Sequence, residues 1–346
     1  MKTRRSWIVL LSLAAAAWCA APPATATPGY RIVGTTHLDG DDWWDYLTSD
    51  DDTGRLFVSH GTRVQVIDSS AGKVAGVIPD TPGVHGIALA HDLGKGYTSN
   101  GREDTVTVFD LKSLKVLGKI SVSGKNPDAI LYDPFSHHLF TFNGRSGDAS
   151  VIDTAGDKEI ATIPLDGKPE AGVSDGKGRI FVNNEDKSLV TVIDASSLKV
   201  LHQWPLAPGE SPSGLAFDAA SHRLFSVCHN KLMIVLDSED GRVVAKLPIG
   251  EHVDGAAFDP ALRRAYSSNG DGTLTVVQEG DGDDFKVLET VATKQSARTL
   301  ALDAKTHHLF LSCAEIEPAP PTKAEPHMRP TYKPGSFAVL EVAPGE

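Results

Sequence analysis

Seven residues set about forty positions apart could meet in one place and do chemistry there: Asp45, His85, Asp128, Glu170, Ser213, Asp254 and Arg298. Four carboxylates, an imidazole and a guanidinium crowded together would raise each other's proton affinity unless a cation or the arginine intervened. Such a ring could coordinate a divalent cation through oxygen, with Asp128, Glu170 and Asp254 as ligands and Ca²⁺ or Mg²⁺ as the ion. It could equally grip a cationic or polyhydroxyl small molecule. In a blander reading each residue caps its own turn and the space between them holds water. Trp43-Trp44 precedes Asp45 and offers Trp44 as a stacking surface, while His60 and His229 replace a recurring asparagine and are further candidates. For acid–base catalysis the groups to test would be His85 and His229. No HExxH, GxSxG, phosphate-binding glycine loop or CxxC accompanies them, so binding is favoured over catalysis.

These residues could meet only if the chain repeats, and it does. The stretch Tyr97-Thr98-Ser99-Asn100 leads into Val106-Thr107-Val108-Phe109-Asp110, and variants recur every ~40–45 residues with aromatics at Phe57, Tyr97, Phe140, Phe181, Phe225, Tyr266 and Phe310. Within each unit β-branched residues alternate, as in Val64-Gln65-Val66-Ile67-Asp68, which signals strands. The second unit divides into four: Gly86 to Ala90, Gly96 to Ser99, Thr105 to Asp110 and Lys115 to Val122. Seven units of four strands predict an all-β, seven-bladed propeller. The last unit, ending in Phe337-Ala338-Val339-Leu340-Glu341-Val342, lacks a fourth strand. The segment from Arg31 to Leu38 has a fourth-strand pattern and should close the ring by joining it. The asparagines Asn100, Asn143, Asn184 and Asn269 are expected to serve tight turns, because Asn-Gly is a hairpin signal.

The recurring Tyr97-Thr98-Ser99-Asn100, Phe140-Thr141-Phe142-Asn143, Phe181-Val182-Asn183-Asn184 and Tyr266-Ser267-Ser268-Asn269 resemble the YVTN-type propeller repeat, and the whole resembles its YncE-like exported branch. Units one, five and seven depart from it with His60, Cys228 and Cys313. The resemblance implies a WD40-like propeller outside the cytoplasm and a binding function, but no reaction. Some similar propellers are lyases or lactonases that act with a divalent ion at the channel mouth, so a metal-assisted enzyme is the alternative. A subunit of a periplasmic redox complex is a third, weaker reading.

Residues 1 to 26 have the make-up of a secretory signal: Lys2, Arg4 and Arg5, an apolar run, then Ala24-Thr25-Ala26; Arg4-Arg5 also suits twin-arginine export. The protein is therefore expected to be periplasmic or secreted, with 27–346 forming one propeller. Trp18 before Cys19 argues against a lipid anchor, and no later stretch could span a bilayer. A net charge of −12 disfavours nucleic acid as a partner. A small molecule or a periplasmic protein is expected instead, bound by a monomer. Cys228 and Cys313 fall at equivalent places two units apart, too far to bridge. The proline-rich insertion at 314–336 should form a lid or rim over the mouth.

Overall fold

The computed structural model describes residues 29–40, 43–317 and 330–345. The expected signal segment, and the centre of the proline-rich insertion at 318–329, lie outside the described residues. Among the described residues are seven antiparallel sheets of four strands each. Their innermost strands are Trp44–Asp50, Val84–Ala90, Pro127–Asp133, Pro169–Ser174, Pro212–Asp218, Val253–Asp259 and Thr299–Asp303, numbered here as blades 1 to 7. Each touches the next, and the last touches the first, so the sheets form a closed β-propeller.

The closure runs as the strand pattern requires. Arg31–His37 pairs antiparallel with Ala338–Ala343, from Arg31 opposite Ala343 to His37 opposite Ala338, and supplies the outer strand of blade 7. Gly345 N donates to Gly29 O beyond that ladder, and Tyr30 OH meets Tyr266 OH at 2.7 Å across the junction with blade 6. The strand removes an open edge whose carbonyls and amides would otherwise invite pairing with another chain.

Packing between blades explains the aromatic register. Phe57, Val66 and Ile78 of blade 1 pack against Ile87 and Phe109 of blade 2, and comparable apolar clusters fill the other junctions. Tyr97, Phe140, Phe181, Phe225 and Tyr266 are all fully buried. Truncating such a ring to alanine costs about 3–5 kcal/mol. Cys228 and Cys313 are buried free thiols within these clusters.

The asparagines differ from their expected role. Neither they nor Gly101, Gly144 and Gly270 adopt positive φ, so the Asn-Gly pairs are not left-handed hairpin corners. Asn100 instead donates through Nδ2 to Thr105 and Thr107 Oγ1 while its Oδ1 accepts from Thr98. Asn143 and Asn269 repeat this buried pattern with Ser and Thr partners. A carboxamide, which both donates and accepts, can tie the second strand to the third in a place where an unpaired amide would cost about 1–3 kcal/mol.

Candidate functional site

A recurrent irregularity in the inner strands creates the site. In blades 1 to 6 the first residue of the inner strand pairs with the last residue of the second strand, as Trp44 does with His60 and Val84 with Asn100; the register then shifts. The same shift follows Pro127, Pro169, Pro212 and Val253. The residue just after each of these is released from the ladder, and a bulge re-aims its side chain. Those residues are Asp45, His85, Asp128, Glu170, Ser213 and Asp254, while Arg298 precedes the inner strand of blade 7. All seven line one cavity of about 280 Å³ at the mouth.

Neighbouring blades hold the backbone of this ring. Ser59 Oγ accepts from Asp45 N, and Thr299 Oγ1 donates to Asp45 O at 2.8 Å. Ser99 Oγ donates to Asp128 O, Asn183 Nδ2 to Ser213 O and Ser268 Oγ to Arg298 O. Asp128, Ser213 and Arg298 are thus braced by the second strand of the preceding blade, and Asp45 by its own second strand and by the inner strand of blade 7.

Side-chain contacts divide the mouth into sectors. His85 Nδ1 lies 2.6 Å from Asp45 Oδ2 and 3.5 Å from Asp128 Oδ1. On one side Arg298 Nε donates to Asp254 Oδ2 at 2.7 Å, its Nη2 stands 3.7 Å from Asp45 Oδ1, and its guanidinium sits 4.5 Å over the Trp43 ring. Ser213 Oγ completes that sector by donating to Asp254 at 2.7 Å. On the other side Lys168 Nζ bridges Glu170, at 2.7 Å, and Glu185.

Proton affinities follow from this crowding. Burial alone would depress the His85 imidazolium, but the Asp128 charge and the bond to Asp45 outweigh it and lift the group to about 9. Burial pushes Asp128 up to about 7; the Asp45 and Asp254 carboxylates add to the rise although the His85 charge opposes it. Glu170 is raised well above the usual carboxylate range by burial and by Asp128, against the pull of Lys168. Tyr46 is held neutral far up the scale by burial and four surrounding carboxylates.

The structure places two of the predicted residues elsewhere. Trp44 is buried and packs against Tyr332 and Phe337, with centroids at 4.5 and 5.0 Å, so Trp43 rather than Trp44 faces the cavity. His60 is also buried, bonded through Nδ1 to Gln65 and stacked on Phe337. Both belong to the regular pairs at the strand end, which point into the core. His229 does reach the cavity wall. Glu170 and Asp254, expected beside Asp128 as ion ligands, are engaged by Lys168 and Arg298. Asp45, His85 and Asp128 are instead the three that each offer a ligand atom within 4.8 Å of the others.

Tyr46, Lys168, Glu185 and His252 line the cavity without having been singled out by the repeat. A signal existed: Trp43, Lys168 and His252 each stand two residues before a ring member. At that offset Gly83, Asn126, Ser211, His252 and Ser296 have positive φ, whereas Trp43 and Lys168 do not, so the position and not one backbone conformation brings them to the mouth. Tyr46 also lines a second cavity of about 190 Å³ running down the axis, walled by Gly86, Ala129, Gly172, Gly214 and Ala256. It forms the partition between the two. Gly214 is required there, since a Cβ would lie 2.6 Å from Ala256 N and 2.8 Å from Asp254 O. The described ends of the insertion, bridged at Ile316 and Tyr332, come down beside Trp44 at the rim.

No known family profile matches the chain. It is similar to the protein described as "Uncharacterized protein YncE" of Salmonella typhimurium, with 24% identity over 215 residues, covering 61% of this chain and 48% of the relative. The counterpart in Salmonella typhi matches to the same extent. This chain's match spans about half the length of those relatives, 48%. Among solved structures, Kuenenia stuttgartiensis hydrazine synthase aligns with TM-score 0.67 and 18% identity over 81% of this chain and 95% of that one. The RRP9 WD40 repeats align with TM-score 0.75 and 11% identity over 91% and 99%. A chain of the mitotic checkpoint complex gives 0.72 and 15% over 88% and 95%. At these identities the structural likenesses establish the propeller fold alone. Among the described residues no helix is long and apolar enough to cross a membrane.

Proposed function

We propose that this chain is an exported YVTN-type propeller, of the YncE-like branch, that works as a binding module through its mouth. The weak likeness to YncE and the quartet repeats support the branch; the make-up of residues 1 to 26 supports export to the periplasm or beyond. One observation carries the function: seven residues from seven blades converge on a single polar cavity, six of them released from their ladders by a register shift, and the side-chain bonds of His85, Ser213 and Arg298 run to other blades rather than to their own turns. Turn capping would produce the reverse. Propeller folds commonly mediate interactions, and the ligand favoured here is a small molecule with cationic or hydroxyl groups, or the basic side chain of a periplasmic partner. Its positive group would relieve the repulsion that lifts Asp128 and Glu170.

The test is a thermal-shift screen of amines, amino sugars and polyols against the purified protein. A native-state ligand raises the melting temperature by mass action, by about 2.7 kcal/mol at a hundred times Kd. Compounds that stabilise the wild type and fail to stabilise Asp254→Asn or Trp43→Ala support the proposal. Equal shifts in all three proteins would remove the mouth from consideration. A second reading, a metal-assisted lyase or lactonase, draws on the Asp45–His85 pair and on His229 across the cavity, which together could move a proton. Turnover of unsaturated or lactone substrates that stops in His85→Gln would favour it.

A further inference from the structure

We infer that the mouth carries a site for a divalent first-row transition ion, Zn²⁺ or Mn²⁺ in kind, held by Asp45, His85 and Asp128; the inference rests on the mouth being the working site. Three successive blades each give one donor, and the donor atoms lie within 4.8 Å of one another, the one such grouping among the described residues. An ion bound at about 2.0–2.2 Å spreads its ligand atoms over at most about 4.4 Å, so small side-chain adjustments suffice.

The direction of the donors matters as much as their spacing. A single ring nitrogen, His85 Nδ1, faces both carboxylates, at 2.6 and 3.5 Å, so an ion that displaces its proton would meet that nitrogen and two carboxylate oxygens in one place. The other nitrogen, Nε2, is turned aside toward Gly101, lying 2.7 Å from where a Cβ on that residue would stand. The backbones of Asp45 and Asp128 are fixed by Ser59 of the same blade as Asp45 and by Thr299 and Ser99 of neighbouring blades, the kind of outer support that keeps ligands in place before an ion arrives.

Charge accounting selects the same three residues. Arg298 is matched by Asp254, and Lys168 by Glu170 and Glu185 together, which leaves that sector with an excess of one negative charge. Asp45 and Asp128 add two carboxyls about the single positive charge of the His85 ring, and Arg298 Nη2 stands 3.7 Å from Asp45, so the mouth as a whole keeps an excess of negative charge. A divalent cation balances that surplus. The imidazole decides its class: nitrogen in the donor set suits zinc best, manganese shares the carboxylates' preference for oxygen, and calcium and magnesium prefer oxygen throughout.

The experiment is isothermal titration of chelator-treated, purified protein with ZnCl₂, MnCl₂, CaCl₂ and MgCl₂ separately. One zinc or manganese ion per chain, bound at least tenfold tighter than calcium or magnesium, is expected. His85→Gln and Asp128→Asn should each weaken binding at least tenfold with an unchanged circular dichroism spectrum, while Glu170→Gln stays within threefold of wild type. Should His85→Gln not fold, Gly101→Ala keeps every donor and presses on the imidazole and on Asn126 Oδ1, which is no ligand; it should weaken binding severalfold. No binding, a preference for calcium or magnesium, or a Glu170→Gln loss equal to that of Asp128→Asn overturns the inference. If organic ligands still raise the melting temperature of metal-free protein in that event, the binding-module reading stands without the metal. A bound ion with no effective organic ligand would have the opposite meaning.

Discussion

At the ends of the third strands, on the face away from the mouth, Asp68, Asp110 and Asp194 accept hydrogen bonds from residues two or three positions ahead: Asp68 from Ser70 and Ala71, Asp110 from Ser113, Asp194 from Ser196 and Ser197. Those bonds hold all three carboxyls below their ordinary range. At the mouth, Asp128 faces His85 of the neighbouring blade and Glu170 faces Lys168, neither is supplied with backbone amides among the described residues, and burial and mutual repulsion push both up. The residue type is shared and the shift has opposite sign. A carboxylate supplied with local amides is a finished structural part; one that has been carried out of the ladder and left among its own kind is held at a cost in stability, which a ligand could repay.

The comparison can be broken most severely by removing what both faces depend on. Deleting 29–38 strips blade 7 of its outer strand and exposes the edge of Ala338–Ala343. Loss of the cooperative unfolding transition in calorimetry is expected; an unchanged melt would disprove closure by this strand. Next in size is Asp133→Ala, on the face away from the mouth. Asp133 is fully buried and accepts from Ser136 N, Ser136 Oγ and Ser174 Oγ, so its loss leaves three part-buried donors without their acceptor and should cost about 2–3 kcal/mol in urea denaturation.

Asp128→Asn should behave in the other sense. At pH 8 its stability should equal or exceed the wild type's, by up to about 1 kcal/mol, because a buried repelling charge has been removed. A loss as large as that of Asp133→Ala would erase the distinction between the faces. The wild type should also reveal its raised groups through pH. A folded-state proton affinity above the unfolded one contributes stability that is complete at low pH and disappears as pH rises through the folded value. For Asp128 that value is about 7 and for His85 about 9, so the melting temperature should decline from about pH 4 to 7 through Asp128 and on to about pH 9 through His85, and the decline below pH 7 should be shallower in Asp128→Asn. Smallest of all, Asp194→Ala removes a largely solvent-facing turn cap and should cost about 0.5 kcal/mol, with no change in the pH profile between 6 and 9.

Much of this was legible in the residues. The blade count, the closing strand and the buried aromatics follow from a period and an alternation, because sheets repeat what their sequence repeats. The seven-residue ring is visible too, since one position per unit breaks the apolar pattern just before a strand. Trp44 and His60 were misplaced for want of the bulge: a register shift at Trp44 decides that Trp43 and Asp45 face outward, and no composition marks it. Lys168 and His252 were hidden by left-handed or looping backbone before the strand, and Tyr46 by an aromatic's usual home in the core. The asparagine role was misread because Asn-Gly looks alike whether the amide makes a turn or a buried bridge.

The closing strand also sets an order of events. Arg31 finds its partner in Ala343, about 300 residues later in the chain, and contacts so far apart in sequence are slow to form. Blades 1 to 6 can each zip from neighbouring hairpins, but Asp45 and Arg298 cannot meet until the two ends of the molecule have found each other. The mouth is therefore the last thing the chain makes, and a nascent molecule has no complete ring of seven until that final seam is sewn.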